Sequence, residues 1–507
     1  MFRKVMSATI YGVECIPVQV EADVRNGLPG FSMVGYLSSR VREAQERVCT
    51  ALRNSGFAFP AKHITVNLSP ADIKKDGTGF DLPIAAALLS ALGYLDFLSL
   101  QGVCMAGELS LSGEIKGIKG ILPIVDTAVK EKCRLCIIPE ENAKEVEIVD
   151  NIPILTVRNI RDLIEHSALK NWGAVKNPEK EWESGNYDSE SDFFEILGQE
   201  AAKEAAVIAA AGFHNLLMIG TKGAGKTMIA KRIPGIFPHI TKEEGMEISR
   251  IYSAAGLLSE RMPIMKMRPF RMPHHTVSPK ALAGGGHTPK PGEITLAHKG
   301  ILFLDELPEF PRSSLEVLRQ PLEEHRICIS RVNGNFQFPA DFLLIAAMNP
   351  CPCGYYPDRN KCLCSDTEVA KYMGKISGPL LDRFDLCTEI KDVPGEKIWK
   401  KKSGKTTLEL REMVEEVHKI QKERYKGTEI TFNGRLRGKE IEKYCQTSKD
   451  GEKLLKRAYE KMHLSVRAYH KILKTARTIA DLEKSEKIEV SHISKAVSYR
   501  ALDKKEW

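Results

Sequence analysis

No stretch of this chain stays apolar for the ~20 residues that a bilayer-spanning helix needs. The longest run, Leu82 to Leu95, is bracketed by Asp81 and Asp96 and broken by Pro83 and Gly93. No secretory leader is expected either. Met1 to Val24 carries Arg3, Lys4 and Glu14 around short apolar pieces, without a clear cleavage site. Long repeats and low-complexity tracts are absent, and a hydrophobic fraction of 43% with 28% charge excludes a wholly disordered or collagen-like chain. The expectation is a cytoplasmic protein with no membrane partner. Its 507 residues allow about three domains. Without a leader, the 12 cysteines read as thiols or metal ligands, not as a disulfide framework.

What is present is unevenly distributed. Of the formal +8 charge, the segment from Lys391 to Trp507 holds 30 Lys and Arg against 19 Asp and Glu, while the remainder holds 44 against 47. A basic C-terminal segment is a possible polyanion footprint; solvated lysines on amphipathic helices are the plainer reading. Three blocks emerge. Residues 1–168 mix alternating apolar segments with helical ones, such as Ser39 to Asn54 with Val41, Ala44, Val48, Ala51 and Leu52 on one side. Residues 169–192, poor in large aliphatics, read as a linker. Residues 193–393 carry short apolar strands at Leu216–Ile219, Ile301–Leu304 and Leu343–Ala346, which suits a parallel sheet buried on both faces. Residues 394–507 are lysine-rich and helical by period, with Leu464, Ala468, Ile472, Leu473, Ala476, Ile479 and Ala480 on one stripe.

The chemistry concentrates in the central block. Gly220, Thr221, Lys222, Gly223, Ala224, Gly225, Lys226 and Thr227 fit G-x-x-x-x-G-K-[ST] between a strand and a helix. Glycines there turn backbone N–H groups toward the phosphates of ATP, and the helix N-terminus adds partial positive charge. Lys226 reaches the β- and γ-phosphates, and Thr227 holds Mg²⁺. A second buried strand ends at Asp305 and Glu306. Asp305 suits Mg²⁺, and Glu306 suits the water that attacks the γ-phosphate. A third strand, Phe342 to Met348, delivers the Asn349 amide to the other side of that water. Arg383, in Ser377 to Asp385, can reach a neighbouring subunit's γ-phosphate, with an Arg383–Asp385 surface pair as the alternative.

This order of motifs resembles the magnesium-chelatase-like AAA+ ATPases of the YifB/ComM family, over essentially the whole chain. Beyond the phosphate loop, the resemblance rests on Arg268 to Thr276 with His274 and His275, Gly284 to Gly286, Pro291 to His298, Asn349 to Gly354, and Ser377 to Asp385. It implies an α/β fold: an AAA+ P-loop parallel-sheet core with a C-terminal helical lid. It also implies Asn349 as sensor one, Arg383 as arginine finger and Arg467 as sensor two, with Arg477 the weaker alternative. One departure is Thr221-Lys222, where the family usually has Pro-Pro. The first block resembles the α+β Lon-type peptidase domain through Lys75 to Gly77, Leu111 to Gly120 and Ile137 to Asn142. Gly79 and Leu122 stand where that family's serine nucleophile and lysine base belong, so a scaffold or polyanion-contacting role is expected. Lys74, Lys75, Lys116 and Lys119 are candidates for such a surface, against a plainer reading as loose surface lysines.

Cys351, Cys353, Cys362 and Cys364 form paired CxC steps within residues 351–364, an insertion directly after Asn349. Four thiolates suit a tetrahedral structural Zn²⁺, with unmetallated thiols as the alternative. His274 and His275 are ligands in principle too; their place in the family motif implies a structural or polynucleotide-facing role over a metal one. The leading expectation is a hexameric ATP-driven motor acting on single-stranded or branched DNA, promoting branch migration in recombination or transformation. Metal insertion of the magnesium-chelatase kind, or another protein-remodelling role, is the alternative. Neither the first block nor the four-cysteine insertion is expected of that enzyme's ATPase subunit, and no Asp-x-Ser-x-Ser motif is present. ATP-dependent proteolysis is disfavoured by Gly79 and Leu122.

Overall fold

Strands without a polar residue can only be stable between two covering layers. Leu216–Gly220, Ile301–Leu304 and Leu343–Met348 are buried along their whole length. They form the middle of a five-stranded sheet ordered Phe270–Arg271, Ile301–Leu304, Leu343–Met348, Leu216–Gly220, Leu386–Ile390. Every pairing is parallel, with Leu302 opposite Leu344 and Met218 opposite Ala347. Their carboxyl ends therefore share one edge, where ligands bind in open α/β sheets. The computed structural model describes residues 1–168, 182–185, 192–286, 288–331, 334–391 and 404–500. The expected linker, 169–192, falls largely outside them.

Residues 2–157 build a separate seven-stranded mixed sheet, from Gly30–Val34 at one edge to Ile154–Val157 at the other. Helix Asp81–Leu92 lies within its core, so apolar that nearly every residue is buried. The helix expected over Ser39 to Asn54 occurs as two pieces, Ser39–Arg42 and Ala44–Asn54, and buries all five apolar positions of the expected stripe. This body docks on the central one through helix Ile121–Lys130 against helix Lys242–Ala255, with the Leu122 N–H donating to Ser253 Oγ at 3.3 Å. The ring of Tyr11 stacks on Phe336 at 4.2 Å.

The positions of the lost peptidase dyad are apolar. A Cβ at Gly79 would meet Ile118 at 3.0 Å, and Leu122 is fully buried. The Thr78 hydroxyl contacts Glu108, a carboxylate, where Lon-type chemistry needs a lysine. The polyanion surface considered for this block loses Lys75, whose buried ammonium donates to the carbonyls of Pro70 and Ile73. Lys116 is paired with Glu114 at 3.0 Å.

Among the described residues, five helices dominate the C-terminal region, the longest being Thr407–Arg424 and Val466–Leu482. The stripe from Leu464 to Ala480 is buried in one core with helix Glu200–Gly212 and the back of the five-stranded sheet. Arg477 is buried with that stripe. It is held by Asp481 at 2.9 Å and by the carbonyls of Glu486 and Ser485, which occupies it structurally.

Candidate active site

The strand ending at Gly220 opens into the glycine loop, and helix Lys226–Ile236 starts from it. Gly223 and Gly225 take φ of +83° and +93°, which only glycine adopts without strain, so the loop can wrap an anion. Around it lies a cavity of about 330 Å³ lined by Lys222 to Met228, Asp305, Glu306, Met348 and Asn349. Three adjacent strand ends thus bring the phosphate loop, the acidic pair and the amide to one point.

The contacts inside are specific. The Lys226 ammonium donates to the carbonyls of Gly220 and Thr221, both at 2.7 Å, and to Asn349 Oδ1 at 3.0 Å. Thr227 Oγ1 donates to Asp305 Oδ2 at 2.6 Å. A hydroxyl and a carboxylate converging this closely present two hard oxygen ligands, the donor set Mg²⁺ prefers. Glu306 has φ +53°, a left-handed conformation costing a non-glycine residue roughly 1–2 kcal/mol. It projects a half-exposed carboxylate 3.4 Å from His275 Nδ1. Backbone strain of this kind is commonly kept where a side chain must be aimed.

The sequence reading of His275, as structural, polynucleotide-facing or a ligand, does not include this contact with Glu306. The strand Phe270–Arg271 pairs beside Ile301–Leu304 and so carries the following segment to Glu306. The rest of that motif is anchored: Arg268 pairs with Glu244 at 2.8 Å and Arg271 with Glu293 at 2.7 Å.

Arg383 and Arg467 lie elsewhere. Both line a second cavity of about 490 Å³, together with Arg435, Arg437, Lys471 and Lys474. Arg383 contacts Glu323 and the Pro379 carbonyl, not Asp385, so the surface pair considered from the sequence does not form. Asp385 instead faces Lys471 at 3.6 Å and His214 at 3.8 Å. Burial raises its pKa, but the Lys471 and Lys474 ammoniums outweigh that and hold it ionised. Burial also lowers Lys471 to about 8. Nothing in the spacing announces Glu323, 60 residues upstream of its partner.

The four cysteines form a tight group, all ligand atoms within 4.8 Å of one another. Cys351 Sγ lies 3.3 Å from Cys353 Sγ and 3.7 Å from Cys362 Sγ, and Cys353 and Cys362 are 3.5 Å apart. These are not bonded sulfurs, which sit ~2.05 Å apart. Four sulfurs ~2.3 Å from one Zn²⁺ define a tetrahedron of ~3.8 Å edge, close to what is observed. The N–H groups of Gly354 and Tyr356 donate to Cys351 Sγ. A hydrogen bond from the Tyr355 backbone lowers the Cys353 thiol to about 6, while burial pushes Cys362 up to about 12. Among the described residues, no helix long and apolar enough to cross a membrane is found.

Comparison with known proteins agrees with this geometry. The family described as "Magnesium chelatase, subunit ChlI" matches residues 192–398, and its C-terminal counterpart matches 404–500. "Subunit ChlI of Mg-chelatase" matches residues 20–142, so the first block does not by itself set this chain apart from chelatase subunits. Competence protein ComM of Haemophilus influenzae is 42% identical over 98% of this chain and 97% of its own length. YifB of Escherichia coli is 39% identical over 97% of this chain and 96% of its own. Lon protease of Trichlorobacter lovleyi is 26% identical over 29% of this chain, 19% of its length. With phosphate loop, acidic pair and strand order in place, the chain belongs to the YifB/ComM family of magnesium-chelatase-like AAA+ ATPases.

Proposed function

We propose that this chain hydrolyses ATP to drive movement on DNA, as a hexameric ring whose active sites are shared between neighbours. The observation that carries the ATPase reading is the convergence of Lys226, Thr227, Asp305, Glu306 and Asn349 on one cavity. In this reading Lys226 exchanges its loop carbonyls for the β- and γ-phosphate oxygens. Thr227 and Asp305 hold Mg²⁺, which when bound neutralises phosphate charge. Glu306 and Asn349 fix a water in line with the γ-phosphorus, and Glu306 takes its proton. His275 restrains Glu306 until the cavity is filled. Arg383 and Arg467 serve the next subunit's nucleotide, because their cavity is separate from the phosphate loop of their own chain.

DNA is favoured over a protein or porphyrin substrate by two observations. The first is the basic C-terminal segment. The second is the meeting of two short hairpins, Gly284–Gly285 with Lys290–Pro291 and Arg326–Arg331 with Gly334–Pro339. There the Arg331 guanidinium comes within 3.7 Å of where a Gly285 Cβ would lie, beside the Cβ and Cγ of Lys280 at 3.9 Å. The name of the Haemophilus relative, a competence protein, supports placing the activity in uptake or recombination of DNA. The four cysteines are proposed to hold one structural Zn²⁺. The test is Mg²⁺-dependent ATP hydrolysis measured with single-stranded, duplex and branched DNA. Stimulation by DNA, strongest with a branched or single-stranded form, is expected; hydrolysis indifferent to all three would overturn the DNA assignment and leave the ATPase intact.

A further inference from the structure

The segment from Cys351 to Cys364 contains no helix or strand. Its small core consists of the cysteines themselves with Val369, edged by Tyr356 and Met373. A loop this short cannot fix its own shape by apolar burial; small cores of this kind are stapled by a metal or a disulfide. Yet its position is not peripheral. Asn349, whose amide oxygen accepts from Lys226, precedes Cys351 by two residues. Gly354, next to Cys353, has φ +88° and packs directly on the phosphate loop. A Cβ there would stand 3.6 Å from Lys222 N, 3.7 Å from Lys222 Cβ and 4.0 Å from Asn349 Cγ. The Gly354 N–H is tied back to Cys351, donating to its carbonyl at 3.0 Å and its sulfur at 3.2 Å.

We propose that the four-cysteine centre is a zinc-held brace for the ATPase site, setting the positions of Asn349 and the Thr221-Lys222 turn against bound nucleotide. The inference rests on the zinc reading given above and adds a task to it. The chain of contact is short: metal, Cys351 and Cys353, Gly354, then Lys222 and Asn349. Four thiolates around Zn²⁺ carry a net charge of −2, and the backbone N–H groups of Gly354 and Tyr356 donate toward that charge at Cys351. With the metal lost, the loop between Asn349 and helix Asp366–Met373 has no cross-link, and both nucleotide contacts lose their support.

The test uses the full chain without a histidine tag. Zinc content is measured by atomic emission, Mg²⁺-dependent binding with a fluorescent non-hydrolysable ATP analogue, and turnover in parallel. The comparison is between wild type, wild type stripped with a thiol-reactive agent and then reduced and refilled with zinc, and Cys353→Ser/Cys364→Ser. Those two sulfurs are the less buried pair, so folding, checked by circular dichroism, is least threatened. About one zinc per chain is expected in wild type. Its loss should weaken analogue binding and turnover by ~10–100-fold, the usual reach of supporting residues, and refilling should restore both. In an Asn349→Ala background the cysteine variants should cost less further turnover than they do in wild type, because part of the brace acts through Asn349 and only the Thr221-Lys222 part remains. No zinc or other metal in wild type would overturn the zinc reading itself. Zinc that comes and goes with unchanged analogue affinity and turnover would leave the metal site standing and overturn the brace.

Discussion

At the residue scale the two acidic neighbours divide the labour by geometry. Asp305 receives the Thr227 hydroxyl at 2.6 Å and its other oxygen accepts the Glu306 N–H at 2.9 Å, so it is fixed. Glu306 is half exposed and carried by a left-handed backbone, and its carboxylate lies 3.4 Å from His275 Nδ1. Glu306→Gln keeps the shape and loses the base. Its expected effect is normal nucleotide retention with turnover down ~10²–10⁴-fold, read by single-turnover hydrolysis. Lys226→Ala should lose nucleotide binding itself, read with the same fluorescent analogue. If His275 restrains Glu306, His275→Ala should raise hydrolysis measured without DNA and narrow the ratio of stimulated to basal rate. A fall in both rates with the ratio unchanged would show instead that His275 orients Glu306 productively. The sequence made the loop, the acidic pair and Asn349 readable because each directly follows a run that can only be a buried strand. His275 and Glu323 were not readable in their pairings. Each meets its partner across the fold, 31 and 60 residues away, and exposed His and Glu have many possible partners.

At the scale of elements, helix Thr407–Arg424 is pinned to helix Glu200–Gly212 by buried polar contacts. His418 Nε2 donates to the Ala210 carbonyl at 3.0 Å and Gln421 Nε2 to the Ala211 carbonyl at 2.7 Å. These are last-turn carbonyls, which have no partner within their own helix. Burial lowers His418 to about 4 from the usual 6.5, so the folded chain carries it neutral. The unfolded chain binds that proton more readily. The stabilisation is therefore complete above about pH 6.5 and is lost as pH falls toward 4. Urea midpoints between pH 7 and 4 should fall with acid in wild type and fall less steeply in His418→Gln. Equal slopes would mean that His418 does not titrate in this transition. The helical period told where this region's apolar stripe lies, from Leu464 to Ala480, but not what it covers. Period is a local property; the opposing helix, Glu200–Gly212, lies more than 250 residues earlier in the chain, and the opposing sheet is gathered from strands spread over residues 216–390.

At the scale of the whole molecule, one chain holds two separate cavities, which in the proposed ring are two half-sites. The phosphate loop opens on one cavity, and the cationic cavity of Arg383 and Arg467 opens on another. Within the chain Arg383 is occupied by Glu323, a contact that binding a neighbour's γ-phosphate would have to replace. Sequence reasoning could name Arg383 from its motif, yet the separation of the two cavities is a property of the assembled sheet and helices. The most direct test of a shared site mixes two variants. Arg383→Ala keeps the phosphate loop and should lose ~10³–10⁵-fold of turnover, the scale of known arginine fingers. Lys226→Ala keeps the finger and cannot hold nucleotide. Mixed at equal concentration, with co-assembly checked by mass photometry, some interfaces join an intact loop to an intact finger, and ATPase activity well above either variant alone is predicted. Co-assembled rings as inactive as their components would contradict the shared site.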